Sequence, residues 1–497
     1  MIKRTHALLY TLERSKMFWT IFLSSLVFFI LRLPSLFEPN WYGDEGIYEV
    51  IGKAISEGKI LYLHIWDNKP PLLYATYAIF HGDQFWARLL SLLFGLGAII
   101  TLFFLAKKLF KELVPTVIAT GIFTILLGLP FLEGNIANAE NFMLFPVILA
   151  GFICFTHVEK TAKKKPLFLA GILLGIAFLY KIVAIFDLAA LVTFLCLYYL
   201  PEKNILDFRK YLSQMATKVG LLVGGFLIPF AISCLYFLSN GGLQAYFQAI
   251  FFSTVGYVGY NNVLIIPQGL LIAKLILLVF AVLILLKLKK KLHPSLLFIF
   301  TWAAFSLFNS FFSQRPYTHY LLVLIPTFSL IAGSAFYRNG LRKISLIIAC
   351  IIAVIGLYFF NHWSITKTVG FYTNFSQFVA GQKTLREYQN FFDRRAPKDY
   401  EISRYINAHK KSGENIYIWG NSAQLYVMTD TLPPGRFTVA YHVGGDTNHL
   451  EETRKAIAQA NPQFIVVQQG MTMYPFSLYN YQHAITISEN IIYERVR

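Results

Sequence analysis

The sequence predicts a polytopic α-helical membrane protein that ends in a small α/β domain. Three observations predict it. Charge is scarce: of 497 residues, 56% are hydrophobic and 14% charged, and mean hydropathy is +0.53, whereas soluble domains carry about 25% charged residues. The apolar residues gather in runs long enough to cross a bilayer, which takes ~20 residues. Basic residues cluster after every second run, as they do in cytoplasmic loops.

Eleven runs are expected to span: 17–33, 84–106, 113–131, 141–157, 166–179, 182–200, 219–239, 269–286, 294–312, 320–337 and 344–360. The fifth is short, and its split from the sixth at Tyr180-Lys181 decides the side of every later run. The basic clusters support the split. They are Lys3, Arg4, Arg14 and Lys16; Lys107, Lys108 and Lys111; Lys160 and Lys163 to Lys165; Lys203, Arg209, Lys210 and Lys218; Lys287 and Lys289 to Lys291; and Arg338, Arg342 and Lys343. Only with this split do all six lie on one face. The net charge of +18 thus reads as membrane topology and not as a nucleic-acid surface.

With a cytoplasmic N-terminus, the outer loops are 34–83, 132–140, 240–268 and 313–319, and the tail from His362 is extracytoplasmic. The first run continues to Leu33 without a small-residue cleavage site, so it reads as a retained helix and not a signal peptide. The four cysteines, Cys154, Cys196, Cys234 and Cys350, sit inside apolar runs without CxxC spacing. They read as small buried hydrophobes, with no disulfide and no zinc site expected.

The first outer loop is about 50 residues, against a usual connection of about 4–6, and is rich in Trp, Tyr, Ile and Leu. It is expected to be ordered and functional, with an amphipathic helix over 47–56 stopped at Gly58. Charged residues return after about residue 370. Helices over 401–410 and 451–459 alternate with strands over 415–419 and 463–468, which predicts a small α/β fold. The domains expected are a transmembrane catalytic domain, 1–361, and a C-terminal soluble domain, 362–497.

Four polar motifs stand at the outer ends of the runs. In Trp41-Tyr42-Gly43-Asp44-Glu45-Gly46-Ile47-Tyr48, two adjacent carboxylates lie between aromatic residues. Group transfer to a hydroxyl needs a carboxylate to take its proton, yet acids also favour helix starts. In Asp67-Asn68-Lys69-Pro70-Pro71-Leu72-Leu73-Tyr74, two prolines hold a lysine on stiff backbone. An ammonium there can stabilise a departing phosphate. The segment 135–143 places Glu140 at the start of the fourth run with Glu133 nearby, and carboxylates at membrane depth are costly and usually functional. The segment 312–320 gathers Arg315, Tyr317, His319 and Tyr320, an anion site for phosphate or sugar inside what is also an aromatic belt. Lys181 and Arg88 are further cations near run ends, either donor contacts or side chains reaching the interface.

In this order, on one face, the motifs resemble the GT-C superfamily of membrane glycosyltransferases, in particular its protein O-mannosyltransferase and aminoarabinose-transferase branch. The resemblance covers roughly residues 15–335. It rests on Asp44-Glu45, on Lys69 through Tyr74, on Glu140 in its Asn-x-Glu-x-Phe-Met context, on Arg315 through Tyr320 and on the run from Arg88. It implies a GT-C fold and a sugar donor carried on a polyprenyl phosphate. Asp44 would act as base or position the acceptor, with Glu45 and Glu140 as supporting carboxylates. Lys69 would hold the donor phosphate, joined by Arg315, Lys181 or Arg88, and Tyr317, His319 and Tyr320 would contact substrate. A divalent cation, Mg or Mn, held by Asp44 and Glu140, is the one cofactor it admits. The tail departs from the described branches in being shorter and more strand-alternating, so the acceptor, whether protein, lipid or glycan, does not follow.

A polyprenyl-linked sugar flippase and a non-catalytic envelope scaffold are the alternatives. Transporters show paired repeats and broken helices near the midplane; here the polar residues gather in loops. A scaffold leaves the loop Asp, Glu, Lys and Arg residues without a purpose.

Overall fold

In a bilayer every backbone N–H and C=O must find its partner within the segment, which a helix provides. In the structure, a computed structural model that describes residues 2–160, 165–201, 205–254, 270–315, 317–337, 365–444, 446–471 and 473–496, the apolar runs are accordingly helical. The helices are Ile2–Arg32, Gln84–Phe110, Leu113–Gly128, Ala139–Lys160, Lys165–Tyr180, Ile185–Tyr199, Ile205–Ser239, Leu271–Leu288, Pro294–Ser310 and Ile325–Ser334. Among the described residues, six helices have the length and hydropathy to cross a membrane: Arg14–Phe37, Gln84–Phe110, Ala139–Val158, Ile182–Tyr199, Phe208–Ser239 and Leu271–Leu288. The expected eleventh run, 344–360, lies outside the described residues. So do Pro316, Gly445, all of 255–268, and Lys163, Lys164, Lys203, Arg338, Arg342 and Lys343 of the basic clusters.

The chain forms two compact units. One comprises Met1–Leu33, Leu90–Ser233 and Val255–Thr368; the other comprises Pro34–Leu89, Cys234–Thr254 and Val369–Arg497. In the first, helix Lys165–Tyr180 ends at Lys181, whose backbone is extended (φ −153°, ψ 126°) before a 3₁₀ turn over Ile182–Ala184. The break expected at Tyr180-Lys181 is thus a real change of direction.

Small residues let helices meet closely in lipid, and this unit shows such a crossing. A Cβ on Gly171 would stand 2.0 Å from the Leu222 carbonyl oxygen, and one on Gly225 2.0 Å from the Phe168 carbonyl oxygen. Backbone on both sides leaves nothing to rotate away. Gly225→Val is therefore expected to force helices Lys165–Tyr180 and Ile205–Ser239 apart, at a cost of at least about 1–3 kcal/mol. The check is thermal unfolding in detergent: the midpoint should fall by several degrees, while Gly220→Val, where a Cβ meets nothing within 4 Å, should leave it in place.

In the second unit, the residues of the first loop form helix Gly43–Ser56 and a short helix, Pro71–Ala78. The former starts four residues earlier than its apolar pattern suggests, so Asp44 and Glu45 occupy its first turn. It stops at Ser56, and Gly58 takes the left-handed conformation (φ 85°) that favours glycine. The C-terminal residues give helices Ala396–His409 and Thr447–Ala460 and strands β1 (Ile416–Trp419), β2 (Phe464–Val467), β3 (Tyr481–Ile487) and β4 (Asn490–Arg495). The sheet order is β1-β2-β4-β3. β1 and β2 are parallel, with Ile416 opposite Phe464, while β4 is antiparallel to both β2 and β3.

The core of this sheet contains Tyr417, Trp419, Phe437, Ala440, Val443, Ile457 and Ile465, with Trp66 of the first loop packed against it. Backbone pairing reinforces that contact: the Trp66 N–H donates to the Arg436 carbonyl at 2.8 Å, and Trp66 pairs with Phe437 in a parallel bridge. The first loop and the C-terminal residues therefore fold as one body.

Candidate active site

Helix Gly43–Ser56 carries three carboxyl groups with three fates. Successive helical residues point roughly 100° apart, so neighbours in sequence face different surroundings. Asp44 stays partly accessible, with 32% of its side chain exposed. Glu45 turns inward and is 1% exposed. Glu49 is fully buried, and burial, reinforced by the Glu45 charge, pushes its carboxyl well above the usual range.

Asp44 Oδ2 stands 3.4 Å from Lys69 Nζ and accepts a hydrogen bond from the Tyr48 hydroxyl at 3.1 Å. Burial, with Asp44 adding, raises the Tyr48 hydroxyl well above its ordinary value, so it remains a donor. Lys69 lies 4.9 Å over the Tyr48 ring and 3.4 Å from Asp67 Oδ2. The prolines after Lys69 start helix Pro71–Ala78, and its Tyr74 hydroxyl donates to Asp67 Oδ2 at 2.6 Å. The Tyr62 hydroxyl holds the Lys69 carbonyl at 2.6 Å. One ammonium thus lies between two carboxylates, inside a frame of tyrosines.

Arg88 and Glu45 meet inside this unit. Arg88 is fully buried, as is Glu38 beside it, and donates through Nε to Glu45 Oε1 at 3.0 Å and through Nη2 to Glu45 Oε2 at 2.5 Å. Its Nη1 lies 3.1 Å from Glu38 Oε2 and donates to the Ser35 carbonyl at 2.6 Å. Glu45 is therefore paired inward with Arg88, and both are buried. Together they clamp the first loop.

The other unit holds a second polar cluster. Glu140 begins helix Ala139–Lys160, where the helix dipole favours an acid. It is 2% exposed and ion-paired with Lys181, which also lies 4.2 Å over the Tyr320 ring. His319 stands between two acids: Nδ1 is 2.9 Å from Glu133 Oε2 and Nε2 is 3.8 Å from Glu140 Oε1. The Thr318 hydroxyl donates to Glu133 Oε1. Glu133 has a left-handed backbone (φ 59°), uncommon for a residue with a Cβ, which fits a carboxylate held in a fixed position. Tyr317 stacks on His319 at 5.5 Å, and Tyr320 meets it edge-on at 4.7 Å. Of the fourth motif, Arg315 is exposed.

A divalent cation does not fit these residues as they stand. Asp44 and Glu140 each face an ammonium, from Lys69 and Lys181, and no group of three His, Cys, Asp or Glu side chains among the described residues has metal-binding geometry.

Sequence reasoning missed His442. It lies in a short helix, Ala440–Val443, with Nε2 3.8 Å from Asp67 Oδ1 and its ring edge-on to Trp66 at 5.0 Å. Burial depresses it to about 4, so it is neutral, although the Asp67 charge opposes the shift. The local sequence Ala-Tyr-His-Val carries no signal; only the fold brings it to Asp67.

The apolar helices define a polytopic helical membrane protein, and part of the chain matches a known family. Residues 58–241 match the model of the dolichyl-phosphate-mannose-protein mannosyltransferase family, a segment that includes Lys69, Glu140 and Lys181 but begins after Asp44. The chain is similar in fold to ArnT from Cupriavidus metallidurans, whose crystal structure is bound to undecaprenyl phosphate, with 14% identity, a TM-score of 0.56 and coverage of 96% of this chain and 97% of that one. It also aligns with the oligosaccharyltransferase AglB from Archaeoglobus fulgidus, in complex with an inhibitory peptide and a dolichol-phosphate, at 12% identity and a TM-score of 0.49, covering 92% of this chain and 69% of that one. No curated protein matches the sequence.

Proposed function

We propose that this protein transfers a sugar from a polyprenyl-phosphate donor to an acceptor hydroxyl on the outer face of the membrane. The observation that carries the reading is the pairing of Asp44 with Lys69 at 3.4 Å, both partly accessible. A carboxylate and an ammonium side by side match the two needs of the reaction. Asp44 takes the acceptor proton as the acceptor oxygen bonds to the anomeric carbon. The bond from that carbon to the phosphate oxygen breaks, its electron pair leaves with the phosphate, and Lys69 offsets the added charge. Direct displacement inverts the anomeric centre, by analogy with inverting hydrolases. Phosphate is a good leaving group, so no general acid is required. The match to a mannosyltransferase family and the fold shared with a protein bound to undecaprenyl phosphate favour a lipid-linked donor over passage of one.

In this reading residues 1–361 are the transmembrane catalytic domain with a cytoplasmic N-terminus, and 362–497 are extracytoplasmic. Glu140, Lys181 and His319 with Tyr317 and Tyr320 contact substrate. The test is consumption of a panel of short-chain polyprenyl-phosphate sugars by purified protein in detergent, with and without a chelator. Consumption of one donor that survives chelation is the expected result. Loss with the chelator would restore a metal to the mechanism. Movement of labelled lipid across vesicles without consumption of any donor would replace the transferase with a flippase.

A further inference from the structure

We propose that His442, in the C-terminal part of the chain, is a positioning residue for the Asp67–Lys69 pair, which frees Lys69 for an incoming phosphate. The inference rests on the transferase reading above and gives the C-terminal residues a part in it.

Asp67 is 4% exposed, and a buried carboxylate needs compensation. It has the Tyr74 hydroxyl at 2.6 Å, the Asn68 N–H at 2.8 Å and the Lys69 ammonium at 3.4 Å. A phosphate that draws Lys69 towards itself weakens the last of these. The group placed to replace it is His442 Nε2, 3.8 Å from Asp67 Oδ1, just beyond hydrogen-bond length. A neutral imidazole donates from one nitrogen only. Among the described residues, His442 Nδ1 is buried without a partner, so the proton belongs on Nε2, facing Asp67. Leaving a buried ring nitrogen unpaired is costly, and nothing in the packing against Trp66 requires a polar ring there. The position is held by the backbone: the Trp66 N–H pairs with the Arg436 carbonyl, and the Ala440 N–H donates to the Gly420 carbonyl at 2.8 Å, fixing both ends of the segment that leads to His442. As Lys69 moves to phosphate, the His442 Nε2–H closes on Asp67 and supplies the hydrogen bond that Lys69 gives up.

The test uses the full-length protein in detergent. His442→Phe fills the same space without a donor, and His442→Gln places an amide N–H near the position of Nε2. The readouts are binding of undecaprenyl phosphate and the donor KM and kcat. With wild type binding the lipid, His442→Phe should weaken that binding and raise KM, each by roughly tenfold, with kcat within about twofold, and His442→Gln should recover most of the loss. Wild-type lipid affinity and KM in a folded His442→Phe protein would overturn the inference and leave the transferase reading intact. So would an equal loss in both variants, which marks a packing role. Absence of both lipid binding and donor consumption in wild type would overturn the transferase reading and this inference with it.

Discussion

Asp44→Asn is expected to abolish sugar transfer while leaving the protein folded. The substitution keeps the shape of the side chain and an oxygen for the Tyr48 hydroxyl, which donates at 3.1 Å. It removes the only property a base requires. General-base catalysis contributes about 10²–10⁴ in rate, so kcat should fall within that range while donor KM moves little. The ion pair with Lys69 is also lost, but its members are 21% and 32% exposed, and pairs in contact with solvent contribute little, about 0–1 kcal/mol. Thermal unfolding should therefore stay near that of wild type. Single-turnover transfer with a consumed donor measures the effect; wild-type rates in Asp44→Asn would move the base to another residue.

Arg88→Met should have the largest effect on stability of any single change considered. The substitution approximates the length of the stem and removes the guanidinium that sits against Glu45 and Glu38. Those carboxylates are 1% and 0% exposed, so each is left buried beside the other. Breaking a buried pair by removing one partner costs about 3–5 kcal/mol. Arg88→Lys should recover only part of that, because a single ammonium cannot reproduce the two-pronged contact with Glu45. The double variant Arg88→Met with Glu45→Gln should be more stable than Arg88→Met alone, since one stranded charge is gone. Unfolding in detergent of wild type, Arg88→Met, Glu45→Gln and the double variant gives the coupling. If Arg88→Met instead unfolded like wild type and lost donor binding, Arg88 would be a phosphate ligand after all and the clamp reading would fall.

The contrast between these two variants shows where sequence reading stopped. Asp44 and Glu45 are neighbours in one motif, and nothing local distinguishes them. The distinction appears once helix Gly43–Ser56 forms: its turn points Asp44 towards Lys69 and Glu45 towards Arg88. A similar limit hid the hairpin of β3 and β4. Its turn places Ser488 and Glu489 at positive φ (47° and 71°), conformations usually signalled by Asn-Gly or Gly; without those residues the segment gave no turn signal. Glu133, an alternative to Glu140 in its motif, lies against His319 from a left-handed backbone.

The sequence by itself determined a helical membrane protein and the places where its polar side chains gather. Lipid leaves a backbone few options, so apolar runs become helices, and polar side chains too costly to bury at membrane depth mark the loops that matter. Lys69 before its two prolines and Glu140 at a helix start were legible for the same reason, since both follow from local backbone rules. Tertiary structure alone decided which members of each motif face one another. It turned Glu45 and Arg88 into a buried clamp and brought His442 to within 3.8 Å of Asp67. Such contacts join residues far apart in the chain, and they are set by how packed surfaces fit, a property no short stretch of sequence contains.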